Sequence, residues 1–171
     1  MTFMELAKAR YSVRKFSDKP VETEKLTAVL EAANIAPTAK NLQPQRVYVL
    51  QSAETLAKVD ALTRCRFGAP VVLVFAYDTT EEWQNPLESG VHSGVEDVSI
   101  AATHAMLEAA DLGLGTCWVN YFANSALEKS LGLPENEKTV LILPLGYAAD
   151  DSQPSANHDA CKPLEATVKY L

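Results

Sequence analysis

Ala69-Pro70-Val71-Val72-Leu73-Val74-Phe75 carries no polar side chain and no alternation, and the fold turns on how it is read. A strand with one wet face alternates apolar and polar residues, because successive side chains point to opposite sides. A run that is apolar at every position predicts a strand covered on both faces, at the centre of a sheet. Downstream, from about Val95 to Leu112, apolar residues surround the helical wheel. Val98, Ile100, Ala101, Ala102, Ala105, Met106, Leu107, Ala109 and Ala110 leave only a narrow polar edge, which predicts a buried core helix. Gly113 suits the left-handed position past its end, and Thr116-Cys117-Trp118-Val119-Asn120-Tyr121 reads as another strand. Asn124-Ser125 is placed to cap a short helix ending at Gly132-Leu133-Pro134, and Thr139 to Leu145 makes the last long strand, closed by Gly146.

Upstream of the apolar run, Leu26, Val29, Leu30 and Ala33 recur at helical spacing between Glu22 and Ala36, and Pro37 stops that helix. The loop from Pro37 to Gln45 is polar and holds two prolines. It gives way to the strand-like Arg46-Val47-Tyr48-Val49-Leu50, and a short helix follows Ser52. Polar loops on rigid scaffolds are where sites tend to sit. Beyond Ala149 the stretch Asp150 to His158 is too polar to pack by itself. Thr167-Val168-Lys169-Tyr170-Leu171 recovers strand character and needs a sheet edge, its own or a partner's. Strands alternating with helices suggest, taken alone, parallel crossovers.

The 171 residues suit one domain, with 47% hydrophobic and 22% charged residues, close to globular averages. A net charge of −7 argues against nucleic acid as the main partner, since phosphate backbones select basic surfaces. Met1 to Arg10 mixes charges among its apolar residues, with no secretory core, and the longest apolar stretches fall well short of the roughly 20 residues of a membrane helix. The expectation is a soluble, cytoplasmic protein. Cys65, Cys117 and Cys161 are odd in number and widely spaced, which fits reduced thiols. His92, His104 and His158 stand apart from one another and from any cysteine pair, so no metal site is expected.

The sharpest chemical feature is Arg10-Tyr11-Ser12-Val13-Arg14-Lys15-Phe16, three cations and a hydroxyl just after a short amphipathic helix in an acidic chain. A guanidinium donates two parallel hydrogen bonds to a phosphate, and a serine adds a third. Either an anion site or an ordinary solvated charge cluster fits these residues. Gly113-Leu114-Gly115-Thr116 lacks the third glycine of a dinucleotide fingerprint and follows a helix instead of a strand. Cys117, in an apolar strand with no base beside it, reads as a buried small residue. The adjacent carboxylates Glu81 with Glu82 and Glu96 with Asp97 read as solvated helix starts. Trp118 reads as packing among apolar neighbours.

Six fragments together carry more than any one alone: Arg10-x-Ser12-x-Arg14-x-Phe16; Ala36-Pro37-Thr38-x-x-Asn41-x-Gln43-Pro44; Ala69-Pro70-Val71-Val72; Gly113-Leu114-Gly115-Thr116-Cys117-Trp118-Val119; Pro144-Leu145-Gly146-Tyr147; and Lys162-Pro163-Leu164-Glu165. Their order along nearly the whole chain resembles the nitroreductase family. That resemblance implies an α+β fold with a mostly antiparallel sheet flanked by helices, in a homodimer whose C-terminal segments are exchanged. It implies FMN at the dimer interface, NADH or NADPH as electron donor, and a small organic acceptor such as a nitroaromatic, quinone or flavin, served by a ping-pong route. The flavin carries the chemistry, so no catalytic side chain is implied.

By the same resemblance, Arg10, Tyr11 and Ser12 lie at the phosphate end, and Arg14 beside the pyrimidine edge of the flavin. Pro37, Thr38 and Asn41 approach from the other subunit. Trp118, Val119 and Asn120 form the strand end whose backbone amide meets the flavin nitrogen that accepts hydride. Two positions depart from the family: Cys161 stands where a phosphate-gripping arginine is usual, leaving Lys162 or His158 to substitute, and Asn120 stands near a usual glycine. Thr79 to His92, with Trp83, is the segment expected to cover the pocket. The alternative is a flavin-binding protein without turnover, for storage or sensing.

Overall fold

Helices cover both faces of one antiparallel sheet in the computed structural model, which describes residues 1–171. The chain runs α1 (Phe3–Ala9), α2 (Thr23–Asn34), β1 (Gln45–Leu50), α3 (Ala53–Asp60), β2 (Val71–Asp78), α4 (Gly94–Asp111), β3 (Gly115–Thr116), α5 (Asn124–Leu131), β4 (Glu137–Gly146) and α6 (Leu164–Thr167). The strand order is β1-β2-β4-β3, and every pairing is antiparallel.

The apolar run becomes β2, and Val71 to Ala76 are each 2% exposed or less. Leu73 and Phe75, with Leu141, Leu143 and Leu145 of β4, pack against Val29 and Ala33 of α2 and Val98, Ala101 and Ala105 of α4. Val72, Val74 and Ile142 face the other way, onto Val59 of α3 and Leu127 of α5. Each such Val, Leu or Phe contributes about 1.5–3 kcal/mol by leaving water. The parallel crossovers suggested by the element order are absent. Two helical layers leave no wet face on an antiparallel strand either, so β2 reads like a strand from a parallel sheet.

Helix α4 buries one face, through Val98, Ala101, Ala102, Ala105 and Ala109, but the wheel overstates its burial, since Val95 and Ile100 are exposed. Gly113 follows it at φ +76°, and the Leu114 amide reaches back to Ala109 O at 2.7 Å. Lys25 Nζ donates to Leu112 O at 2.6 Å, placing a cation at the negative end of that helix. The strand expected from Thr116 to Tyr121 pairs only at Gly115–Thr116 and, by an isolated bridge, at Val119. The register of β2 against β4 shifts between Phe75 and Ala76, skipping Val140, and Asn120 Nδ2 donates to the Val140 carbonyl at 2.7 Å.

Two further expectations change. The N-cap of α5 is Ala123, which has no side-chain acceptor, and Asn124, expected to cap, lies inside the helix and donates from Nδ2 to Thr139 O at 2.7 Å. The C-terminal stretch expected as a strand is one short helix, α6, followed by an exposed tail that pairs with nothing in its own chain. No helix is long and apolar enough to cross a membrane.

Candidate functional site

Residues 10–16 leave α1 as an extended arm. The Val13 amide donates to Thr116 O at 2.9 Å, and Ser12 forms a parallel bridge with Thr116, so the arm lies along β3. Val13 and Phe16 are buried with Ala69, while Ser12 is half-buried and Arg14 exposed. The arm thus turns Val13 and Phe16 inward and leaves Arg14 and Lys15 between them exposed. A Cβ on Gly115 would lie 2.5 Å from Val13 Cγ2, so this close approach of arm and strand requires glycine.

The charge pattern separates the arginines. Arg46 pairs with Asp78, Glu81 and Glu137, and Arg66 with Asp60. Arg10 and Arg14 pair with no carboxylate; Arg14 Nη1 only donates to Ser12 O at 3.3 Å. Two guanidinium groups and a hydroxyl without an anion, in a chain of net charge −7, fit a phosphate-bearing group such as FMN. Whereas Arg10 is half-buried, Arg64 is a third guanidinium without a carboxylate partner, exposed like Arg14. It rides on the turn before β2, where Phe16 N donates to Phe67 O at 3.4 Å and Phe67 adopts φ +57°. Sequence reading passed over Arg64; the signal that marks it is its lack of a partner carboxylate.

Trp118, Val119 and Asn120 follow β3 and divide by direction. Val119 N donates to Ile142 O at 3.0 Å, so its amide is held in the sheet. The amides of Trp118 and Asn120 have no protein acceptor and remain available to a ligand. Trp118 packs partly on the main core, and its Nε1 donates to Asn120 Oδ1 at 2.6 Å, fixing both side chains. Burial pushes the neighbouring Cys117 thiol up, against the opposite pull of Arg14, Ser12 and Arg10. A thiol held protonated is no nucleophile.

Pro37, Thr38 and Asn41 sit elsewhere. Lys40, Asn41 and Gln43 adopt φ of +52°, +56° and +54°, a concentration of left-handed non-glycine backbone that marks a constrained loop. Thr38 Oγ1 accepts from Gln43 N at 3.1 Å, and Asn41 Oδ1 from Gln43 Nε2 at 2.9 Å. The Ala39 amide donates to Asp97 Oδ1 at 2.8 Å, in the first turn of α4. Asp97 is 2% exposed, so the expectation of a solvated helix start is wrong there. Nothing in the local sequence distinguishes it from Glu96 except its place on the helix wheel. The arm lies at the other end of α4, where Arg10 and Tyr11 share a groove of about 200 Å³ with Ala110 and Gly113. At 1.5 Å per residue, α4 puts roughly 20 Å between Asp97 and Ala110. One chain therefore keeps its loop and its arm apart.

The polar segment after β4 folds back on its own arm. Tyr11 Oη donates to Ser152 Oγ at 3.4 Å, Lys15 pairs with Asp151, and His158 Nε2 donates to Lys8 O at 3.2 Å. His158 is thereby tied to α1, whereas Lys162 is exposed and pairs with no carboxylate. Cys65, Cys117 and Cys161 are all free thiols.

These features define an antiparallel α+β protein whose arginine–serine arm lies along the short last strand of its sheet. A profile of the nitroreductase family matches residues 7–67 and 66–147. The chain belongs to the nitroreductase family. It is 37% identical to a crystallised nitroreductase family protein from Clostridium difficile, with a TM-score of 0.93 over 99% of this chain and 98% of that one. It is 29% identical, over 88% of its length and 80% of the relative's, to a protein of Methanothermobacter thermautotrophicus provisionally named NADH dehydrogenase/NAD(P)H nitroreductase. It is also 31% identical to the FMN reductase [NAD(P)H] of Bacillus subtilis, over 82% of this chain and 64% of that protein.

Proposed function

We propose that this chain is a cytoplasmic, FMN-dependent oxidoreductase, a single domain over residues 1–171, that moves two electrons from NADH or NADPH to a small organic acceptor. The observation that carries the reading is the unpaired Arg10–Ser12–Arg14 arm laid along β3, the strand that leads directly into the free amides of Trp118 and Asn120. FMN, when bound, supplies the redox chemistry: hydride in from the nicotinamide, electrons out to a nitroaromatic, quinone or flavin, the two substrates taking turns at one face. Arg10, Ser12 and Lys162 hold the phosphate, with Tyr11 bracing the arm against Ser152. Arg14 sets a positive charge where the reduced ring carries negative charge. The free amides of Trp118 and Asn120 donate to the ring's edge. The thiol of Cys117 takes no part.

The reading includes a homodimer. Pro37, Thr38 and Asn41 serve the site of the partner subunit, a division of labour supported by the length of α4 between loop and arm. Two complementary surfaces support the exchange of C-terminal segments. Strand β1 is an open sheet edge, and Leu164, Tyr170 and Leu171 are exposed apolar residues on a tail with no place in its own chain. The names of the relatives from Methanothermobacter and Bacillus support the nicotinamide and flavin assignments.

The test is an absorbance spectrum of purified protein with FMN, followed under anaerobic conditions by NADH and then NADPH. Bleaching of the flavin band is the expected outcome and identifies the donor. Flavin that binds yet stays oxidised supports the second reading, a storage or sensing protein, which Cys161 in place of the usual arginine favours. Absence of any FMN binding overturns both.

A further inference from the structure

Asp97 is a buried carboxylate that the redox chemistry does not use. Its two oxygens go to two different segments. Oδ1 accepts from the Ala39 amide at 2.8 Å, and Oδ2 from Ser93 Oγ at 2.7 Å. Ser93 is 3% exposed and exchanges two bonds with Trp83: the Ser93 amide donates to Trp83 O at 3.0 Å, and the Trp83 amide to Ser93 Oγ at 3.2 Å. A single chain of hydrogen bonds thus runs from the constrained 38–43 loop, through the first turn of α4, into the 79–92 excursion. That excursion is closed on itself by a bridge between Gln84 and His92 and by Asn85 N to Val91 O at 2.9 Å, so it moves as a piece.

The loop needs such an anchor. Left-handed backbone at three non-glycine residues persists only where the surroundings over-determine it. Removing one partner from a buried bond orphans the other, and the strain at Lys40, Asn41 and Gln43 is then free to relax.

We propose that Asp97 is a positioning residue that locks the 38–43 loop and the Trp83 excursion into one unit, so that the wall over the acceptor and the loop beside the flavin take up their places together. The inference rests on the flavin reading for its functional half. Its structural half stands without flavin.

The test uses the full-length chain and Ser93→Ala, which removes a hydroxyl that touches Asp97 and Trp83 but not the loop. Hydrogen–deuterium exchange of the flavin-free protein should speed up by roughly tenfold in the peptide covering residues 38–43 as well as in that covering 79–93, the size expected for one lost hydrogen bond. Asp97→Ala, which removes both acceptors at once, should speed exchange in the same two peptides. With FMN bound, Ser93→Ala should raise KM for the acceptor several-fold more than it lowers kcat. Exchange in Ser93→Ala confined to 79–93 overturns the proposal, because the two segments then move independently. Coupled exchange with an unchanged acceptor KM overturns its functional half. Wild-type protein that takes up no FMN instead sinks the flavin reading, and the exchange result still decides the coupling.

Discussion

Arg14 is exposed and reaches no carboxylate, so its removal strands no buried partner. Arg14→Ala should leave the flavin-free protein as stable as wild type. It should weaken FMN binding by about tenfold or more, the size of a hydrogen bond to a charged group, as read from the quenching of flavin fluorescence on titration. An unchanged dissociation constant removes Arg14 from the site. Cys161→Arg makes the opposite prediction: a guanidinium beside Lys162 should tighten FMN, and no tightening means that the existing cations already saturate the phosphate. Gly115→Ala tests the seat of the arm. Its Cβ would be driven into Val13, with Val13 Cβ itself only 3.0 Å away. Overpacking of this kind costs about 1–3 kcal/mol, visible as a lower urea midpoint, and it should weaken FMN as well because Ser12 and Arg14 move with Val13.

At the scale of elements, the ends of β1, β2 and β4 are joined by ionisable groups that set how the sheet responds to pH. Hydrogen bonds from the Thr80 hydroxyl, the Asn136 side chain and the Thr80 amide hold the Asp78 carboxyl down at about 2. A carboxyl lower in the folded than in the unfolded chain stabilises the fold above its unfolded value, and that contribution drains away as pH falls through its folded value. The Asp78 contribution should therefore be lost between about pH 4 and pH 2, and Asp78→Asn should flatten that part of a urea-midpoint profile. Burial, then the Glu137 carboxylate that its hydroxyl contacts, pushes Tyr48 up to about 12. Its proton is held more tightly in the folded chain, so stability is intact below about pH 10 and falls as pH climbs towards 12. Tyr48→Phe should remove that alkaline loss.

The elements also show where sequence runs out. Helix α2 is legible from its helical period, α4 from its length and apolar wheel, β1 from its strand-forming residues, and β2 and β4 from short unbroken apolar runs. Strand direction is not, since a strand between two helical layers looks the same in either sense. Strand β3 is too short to carry a period, and the tail beyond α6 has strand-forming residues that pair with no strand of its own chain. The arm was legible as three cations and a serine, but not as unpaired, because pairing depends on where remote carboxylates fall. Asp97 was misread for the same reason: burial on α4 comes from packing against β2 and the 38–43 loop, not from its neighbours in sequence.

For the whole molecule, the tail offers a direct test of assembly. A chain ending at Pro163 keeps all three core clusters intact, since no residue beyond it belongs to any of them. It should fold, run as a monomer by light scattering where the full chain runs as a dimer, and lose FMN. A truncated chain that still dimerises removes the tail from the interface.

The distance that α4 imposes between the 38–43 loop and the arm has a genetic consequence. In the proposed homodimer, Arg14→Ala and Asn41→Ala would each weaken both sites of their own dimer. In a mixed dimer the two lesions fall together on one site, and the other is built from an intact arm and an intact loop. At a flavin concentration that saturates only intact sites, the two variants unfolded and refolded as a mixture should thus recover activity above that of either alone.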